Sequence, residues 1–125
     1  MQNVSESGLL GGWGESVAGV YLRRRRYKLL GVNYRCRGGE IDIIAEKGRY
    51  IVFVEVKLRK NADFAEAREF VTASKQKRII YAAKYWLMRY PSRLQPRFDV
   101  IEIYAPQGIN TKKPQINHIE DAFEL

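Results

Sequence analysis

The sequence predicts an α/β domain whose elements run helix, three strands, helix, strand. Three observations carry that expectation. The stretch GGEIDIIAEKGRYIVFVEVKLR, from Gly38 to Arg59, holds two runs rich in Ile, Val, Phe and Tyr on either side of a short turn signal. Apolar residues before and after it, over residues 14–30 and 72–90, recur at helical spacing. With 125 residues, 46% of them hydrophobic, residues 1–125 are expected to form a single domain with one core.

Residues 1–12 are polar and Gly-containing without periodicity and read as a flexible start. A helix is expected from Gly14 to Leu30, with Trp13, Val17, Val20 and Tyr21 on one arc and Gly31 as its stop. Glu15 falls on another arc, beside Ala18, Gly19 and Leu22, whose small members let that face approach a sheet closely. It is either a favourable acid in the first helical turn or a further ligand held over a site beneath. Arg23 to Arg26 follow in the same helix. Successive residues point in different directions, so the run is a solvated face or gives two of its members to phosphates.

Val32 to Arg37 reads as a first strand ending at Gly38-Gly39, with Arg35 and Arg37 either gripping phosphates or standing as edge charges. Glu40 to Glu46 and Tyr50 to Leu58 are the second and third strands. Arg59 to Val71 is charged and reads as a loop with a helical turn. Thr72 or Ser74 then caps a second helix running to Tyr90 and stopped by Pro91, with Ile79, Ala82, Ala83, Trp86, Leu87 and Tyr90 as its core stripe. Lys75 and Gln76 start that helix on its buried side, where backbone N–H groups already favour an anion; Lys77, Arg78, Lys84 and Arg89 read as solvated. Arg97 to Tyr104 is the fourth strand, with Asp99 expected in an ion pair, and Gln115 to Ile119 a short edge strand before an apolar tail.

Three ionisable residues interrupt the central strands: Asp42, Glu55 and Lys57. A strand apolar on both faces is normally buried, so charges within it need partners, a metal or a task. Glu55 and Lys57 are two apart and share a face. Asp42 joins them if the intervening turn has an even number of residues, and a Gly48-Arg49 loop sets it directly opposite Glu55. We expect the even turn. Two carboxylates and an ammonium on one patch suit Mg²⁺ or Mn²⁺, hard cations that prefer oxygen ligands and keep water for a phosphodiester. Lys57 then stabilises the phosphate or helps deprotonate the attacking water; the plain alternative is an ion pair tying two strands together.

Composition narrows the chemistry. His118 is the only histidine and Cys36 the only cysteine, which leaves zinc sites and His-based nucleophile chemistry poorly supplied and excludes an internal disulfide. No apolar run approaches the length of a membrane span and no secretory signal is evident, so the expectation is cytoplasmic, with no membrane partner. A net charge of +8, from 22 Lys and Arg against 14 Asp and Glu, favours a polyanionic partner, most simply nucleic acid.

The order helix, three strands, helix, strand is also that of the PD-(D/E)xK nuclease superfamily. GES-x-A-x-x-YL at Gly14 to Leu22, NYRCRGGEIDIIA at Asn33 to Ala45, VFVEVKLR at Val52 to Arg59, SKQKR at Ser74 to Arg78 and RFDV at Arg97 to Val100 resemble the YraN family, bacterial proteins similar to archaeal Holliday-junction resolvases. The resemblance runs from Gly14 to Phe123 and rests on several motifs in the right order. It implies a restriction-endonuclease-like core, a mixed central sheet flanked by helices. It implies a divalent-metal site at Asp42 and Glu55 completed by the carbonyl of Val56, with Lys57 as the superfamily's lysine and Glu15 as the acid of the first helix. Arg35, Arg37, Arg59, Lys75 and Gln76 are the candidates for nucleic-acid contact. The expected function is a Mg²⁺- or Mn²⁺-dependent endonuclease on DNA, with branched, Holliday-junction-like DNA as a candidate substrate and a homodimer suited to it. The alternative is a non-catalytic nucleic-acid-binding or partner-recruiting module on the same fold.

Overall fold

A computed structural model describes residues 6–60 and 71–124, and the side chains from residue 12 onward within those spans. Helix α1 covers Glu6–Arg24, strands β1, β2 and β3 cover Lys28–Cys36, Gly39–Lys47 and Tyr50–Arg59, and helix α2 covers Ala73–Arg89. Strands β4, Gln95–Tyr104, and β5, Gln115–Phe123, follow on either side of a 3₁₀ turn at Gly108–Asn110. Among the described residues the five strands form one sheet in the order β1-β2-β3-β4-β5. Only the β3–β4 pair is parallel, so the sheet is mixed. A parallel neighbour cannot be reached by a hairpin, and α2 lies in the crossover between those two strands.

The two helices cover opposite faces. Alternate residues of a strand point opposite ways. On β3, Ile51 and Phe53 pack with Ile79, Ala82 and Ala83 of α2, whereas Val52 and Val54 pack with Ala18 and Leu22 of α1. Strand β4 divides likewise, giving Phe98 and Val100 to the α2 side and Ile101 and Ile103 to the α1 side. These strands are buried on both faces, which is why they read as nearly unbroken apolar runs.

Several boundaries differ from those the sequence suggested. The helix begins at Glu6 rather than Gly14; residues 1–5 lie outside the described residues. Leu9, Trp13 and Val17 continue the helical spacing through the glycines that masked it. The helix ends at Arg24, not Leu30. Arg26 takes a φ of 67°, its amide donates to the Arg23 carbonyl at 2.9 Å and the Tyr27 amide donates to the Leu22 carbonyl at 3.0 Å. That is a left-handed C-terminal cap with Arg where glycine is usual, and buried Tyr27 closes it onto Leu22. Strand β1 therefore starts at Lys28 and Arg25 and Arg26 belong to the cap, not the helix.

The second helix is capped by Thr72, whose Oγ1 accepts from the Lys75 amide at 3.2 Å. Tyr90 is its C-terminal cap and half exposed, so it leaves the core stripe that Ile79, Ala82 and Ala83 define. Strand β5 runs on to Phe123, longer than the edge strand expected, and Phe123 stacks on Phe98 at 5.0 Å between centroids. The expected loop and helical turn after Arg59 lie largely outside the described residues.

Candidate active site

The β2–β3 hairpin turns on the two residues Gly48 and Arg49, with Lys47 opposite Tyr50 and Gly48 at a φ of 57°. That φ is the one a Gly-first two-residue turn demands. Pairing continues to Ile43 opposite Val54 and stops there. The next residue is Asp42, level with Glu55, as an even turn requires. Instead of extending the ladder, Asp42 turns its carboxylate into the opening gap. Its Oδ2 accepts from the Val56 amide at 2.7 Å. An extended residue's N–H and C=O point the same way, so the Val56 carbonyl faces this gap as well.

The Asp42 and Glu55 carboxyls lie close enough for the charge of Asp42 to act on Glu55. Both are pushed upward: Asp42 chiefly by burial, and Glu55 to about 7 by burial and then by the Asp42 charge. Lys75 offsets part of this, its Nζ lying 3.4 Å from Glu55 Oε1 and 3.8 Å from Glu40 Oε1. Glu15 approaches from the other layer. Its carboxyl is raised by burial and by Asp42 and Glu40, against a hydrogen bond with Asn33 and the charge of Arg35.

What brings these groups together is local. Gly14, at the start of the described face of α1, is buried against Leu58, where an added Cβ would lie 3.1 Å from that side chain, and so Glu15 is held close to the sheet. Asn33 takes a φ of 51° on β1, between Val32 opposite Ile43 and Tyr34 opposite Ile41, and thus stands level with Asp42. Asparagine tolerates this left-handed backbone better than most residues. On the other face, Gly39 lies directly under α2: a Cβ there would collide with the Arg78 carbonyl oxygen. That contact brings the N-terminal turn of α2, and Lys75 with it, down to β2.

The candidates divide accordingly. The structure gathers Asp42, Glu55, Val56 and Lys75, with Glu15, Glu40 and Asn33 around them. Lys57 lies two residues past Glu55 on β3, part exposed. Gln76 donates from Nε2 to the Val71 carbonyl at 2.9 Å, tying down the start of α2. Arg59 is drawn away into an ion pair with Glu102 at 3.2 Å, its side chain 10% exposed. Arg35 is exposed and 3.6 Å from Glu40, and Arg37 is exposed at the edge. Glu40 and Asn33 escaped the sequence reading. An Asn in the middle of a predicted strand was the one available signal for the second; nothing local marks the first.

Among the described residues no three Asp, Glu, His or Cys side chains come close enough together to hold one metal ion. The donor set here is instead two carboxylates and a backbone carbonyl, all hard oxygens. Such a set fits Mg²⁺, which is commonly bound through one or two carboxylates with waters completing its shell. Glu15 stands outside that set.

A second polar cluster lies on the α1 face. Asp99 receives two 2.8 Å hydrogen bonds from Arg97, lies 2.7 Å from His118 Nε2 and accepts from the Asp121 amide at 3.0 Å. Burial would raise its carboxyl, but these bonds together hold it below the usual carboxylate range. Arg97 and His118 carry the network to Tyr27 and Tyr21. As expected for Asp99, this is an ion pair, and it lies on the face of the sheet opposite to that of Glu55. A cavity of about 770 Å³ that Arg97, Tyr50 and Glu120 help to line opens at this end of the sheet, also away from the gap.

A mixed sheet with a helix on each face, and an acidic pair where its second and third strands part, is a restriction-endonuclease-like core. The family model of the uncharacterised protein family UPF0102 matches residues 14–103, and the chain belongs to that family, the YraN family of the resemblance above. It is 49% identical to a UPF0102 protein of Geobacter metallireducens over 117 residues, covering 93% of each chain. A Geobacter sulfurreducens relative is 45% identical, covering 94% of this chain and 90% of its own, and one from Clostridium perfringens is 42% identical, covering 93% and 94%. These names state a family and no reaction.

Proposed function

We propose that this protein is a divalent-metal-dependent phosphodiesterase that cleaves nucleic acid, DNA before RNA, at the gap between β2 and β3. The observation that carries the reading is the convergence of the Asp42 and Glu55 carboxyls at the open end of the hairpin, with Glu55 pushed up to about 7. Buried acids held side by side at a cost in ionisation mark functional sites more often than structural ones. A Mg²⁺ or Mn²⁺ ion bound there supplies a polarised phosphate and a water acidified enough to attack it.

The chain's own groups do the rest. Asp42, Glu55 and the Val56 carbonyl present the oxygen donors, and the Val56 amide fixes which Asp42 oxygen remains available. Lys75 now balances Glu55 and Glu40; on β3, Lys57 stands one alternation beyond Glu55 to orient the attacking water and offset charge on the phosphate. Glu15 and Asn33 order water from the α1 side. Arg35 and Arg37, exposed at the edge, grip the backbone.

The test is a cleavage panel over duplex, single-stranded, flap and four-way DNA, with matching RNA, in Mg²⁺ and in Mn²⁺ at low salt. Substitutions of metal-supporting partners typically cost 10–100-fold, so Asp42→Ala or Glu55→Ala should cost about 100-fold or more. Cleavage that survives both substitutions, or absent on every substrate with either metal, would refute the reaction. The second reading, a binding module, is favoured by Lys75 already pairing its ammonium with Glu55. On that reading Glu55→Ala leaves binding and cellular function intact.

A further inference from the structure

Helix α2 carries Lys75, Lys77, Arg78, Lys84 and Arg89 and no Asp or Glu. Its buried stripe is Ile79, Ala82 and Ala83. On the outward side Lys77, Tyr81, Lys84, Tyr85 and Met88 fall at i, i+4, i+7, i+8 and i+11, a single helical face. Tyr81 and Tyr85 are each 46% exposed and Met88 is 78% exposed. The two tyrosine rings lie 5.6 Å apart, tilted at 44°. Tyr81 also rests on the β1–β2 turn, where a Cβ on Gly38 would lie 3.2 Å from its ring, so the stripe continues toward exposed Arg37. Core packing does not require these rings to face outward.

From this surface we infer a binding track for an unpaired, single-stranded stretch of nucleic acid, its bases stacked on Tyr81 and Tyr85 and its phosphates met by Lys77, Lys84 and Arg37. Cations interleaved with open aromatic faces are what single strands require: charge for the backbone and a plate for each base. A duplex hides its base faces and needs the cations alone. A second copy of this chain is a poor occupant, because an α2-to-α2 contact would oppose one acid-free basic helix to another. Lys75, which touches Glu55, lies on the buried side of α2 and not on this face, so the binding inferred here does not rest on the reaction proposed above.

The measurement is fluorescence anisotropy in EDTA with a labelled oligodeoxythymidylate of about 20 nucleotides, beside a duplex of equal length. The doubly substituted Tyr81→Ala, Tyr85→Ala protein should bind the single strand about tenfold more weakly for each ring lost, and the duplex about as well as before. Tyr81→Phe with Tyr85→Phe should keep wild-type affinity, since the ring and not the hydroxyl is what stacks. Unchanged single-strand affinity in the alanine protein would overturn the track, as would equal losses on duplex. Competition by polyglutamate as effective as that by oligonucleotide would also overturn it, in favour of an acidic protein partner. Failure to cleave any substrate counts against the reaction and leaves this metal-free result unchanged.

Discussion

The Glu55 carboxyl is pushed up to about 7 because it is buried beside Asp42, and Lys75 offsets only part of that. In an unfolded chain a Glu titrates near 4.3. The folded value is the higher one, so the protonated form favours folding. Its contribution is complete below about pH 4 and is lost as pH rises through about 7. In EDTA, wild type should therefore lose stability relative to Glu55→Gln between those limits, by about 3–4 kcal/mol. Thermal denaturation across that window checks it, and parallel profiles for the two proteins would be the contrary result. At this level the sequence was informative for a definite reason. Side-chain direction along a strand has a period of two, so the expectation of an even turn was enough to put Asp42 and Glu55 together. Helical spacing put Lys75 on the buried side of α2, but that it meets both Glu55 and Glu40 follows only from how the helix docks. The same holds for Arg59, whose partner Glu102 sits on a neighbouring strand.

Elements were legible in kind and less so at their ends. The first helix stops early because Arg26 adopts the left-handed conformation that a sequence reader assigns to Gly31. A non-glycine residue there costs roughly 1–2 kcal/mol. Arg26→Gly should recover about 1 kcal/mol, read as a higher urea midpoint at unchanged slope; a lower midpoint would mean that the arginine side chain contributes more than its backbone costs. Gly39 makes the opposite case. A methyl group at that position meets the backbone of α2, so Gly39→Ala should cost about 2 kcal/mol or more and lift Lys75 from Glu55. Alanine tolerated there without loss would show that α2 is less tightly seated than its contacts imply.

Taken whole, the molecule is a +8 domain whose acids are concentrated at a few places while α2 carries cations alone. Charge of that sign and placement acts through counterion release, so affinity for nucleic acid should fall linearly with the logarithm of salt. Replacing Lys77 and Lys84 by Ala should shallow that slope by about 1.4 for a single strand, at roughly 0.7 per phosphate contact. A slope that does not move places the phosphates on some other face. Net charge announced the kind of partner from composition. Which face receives it became visible only once α2 was docked, because the helical spacing that hides Ile79, Ala82 and Ala83 is what turns Tyr81 and Tyr85 outward.

The sequence holds one imidazole, and the fold spends it at a junction: His118 on β5 contacts Tyr21 of α1 at 3.0 Å and Asp99 of β4 at 2.7 Å. Its ring proton signals will thus be single, self-assigning lines in a magnetic resonance spectrum. They sit where the helix bearing Glu15 meets the sheet. A shift of those lines on adding nucleic acid would register movement of that helix as a body, without any label having been attached.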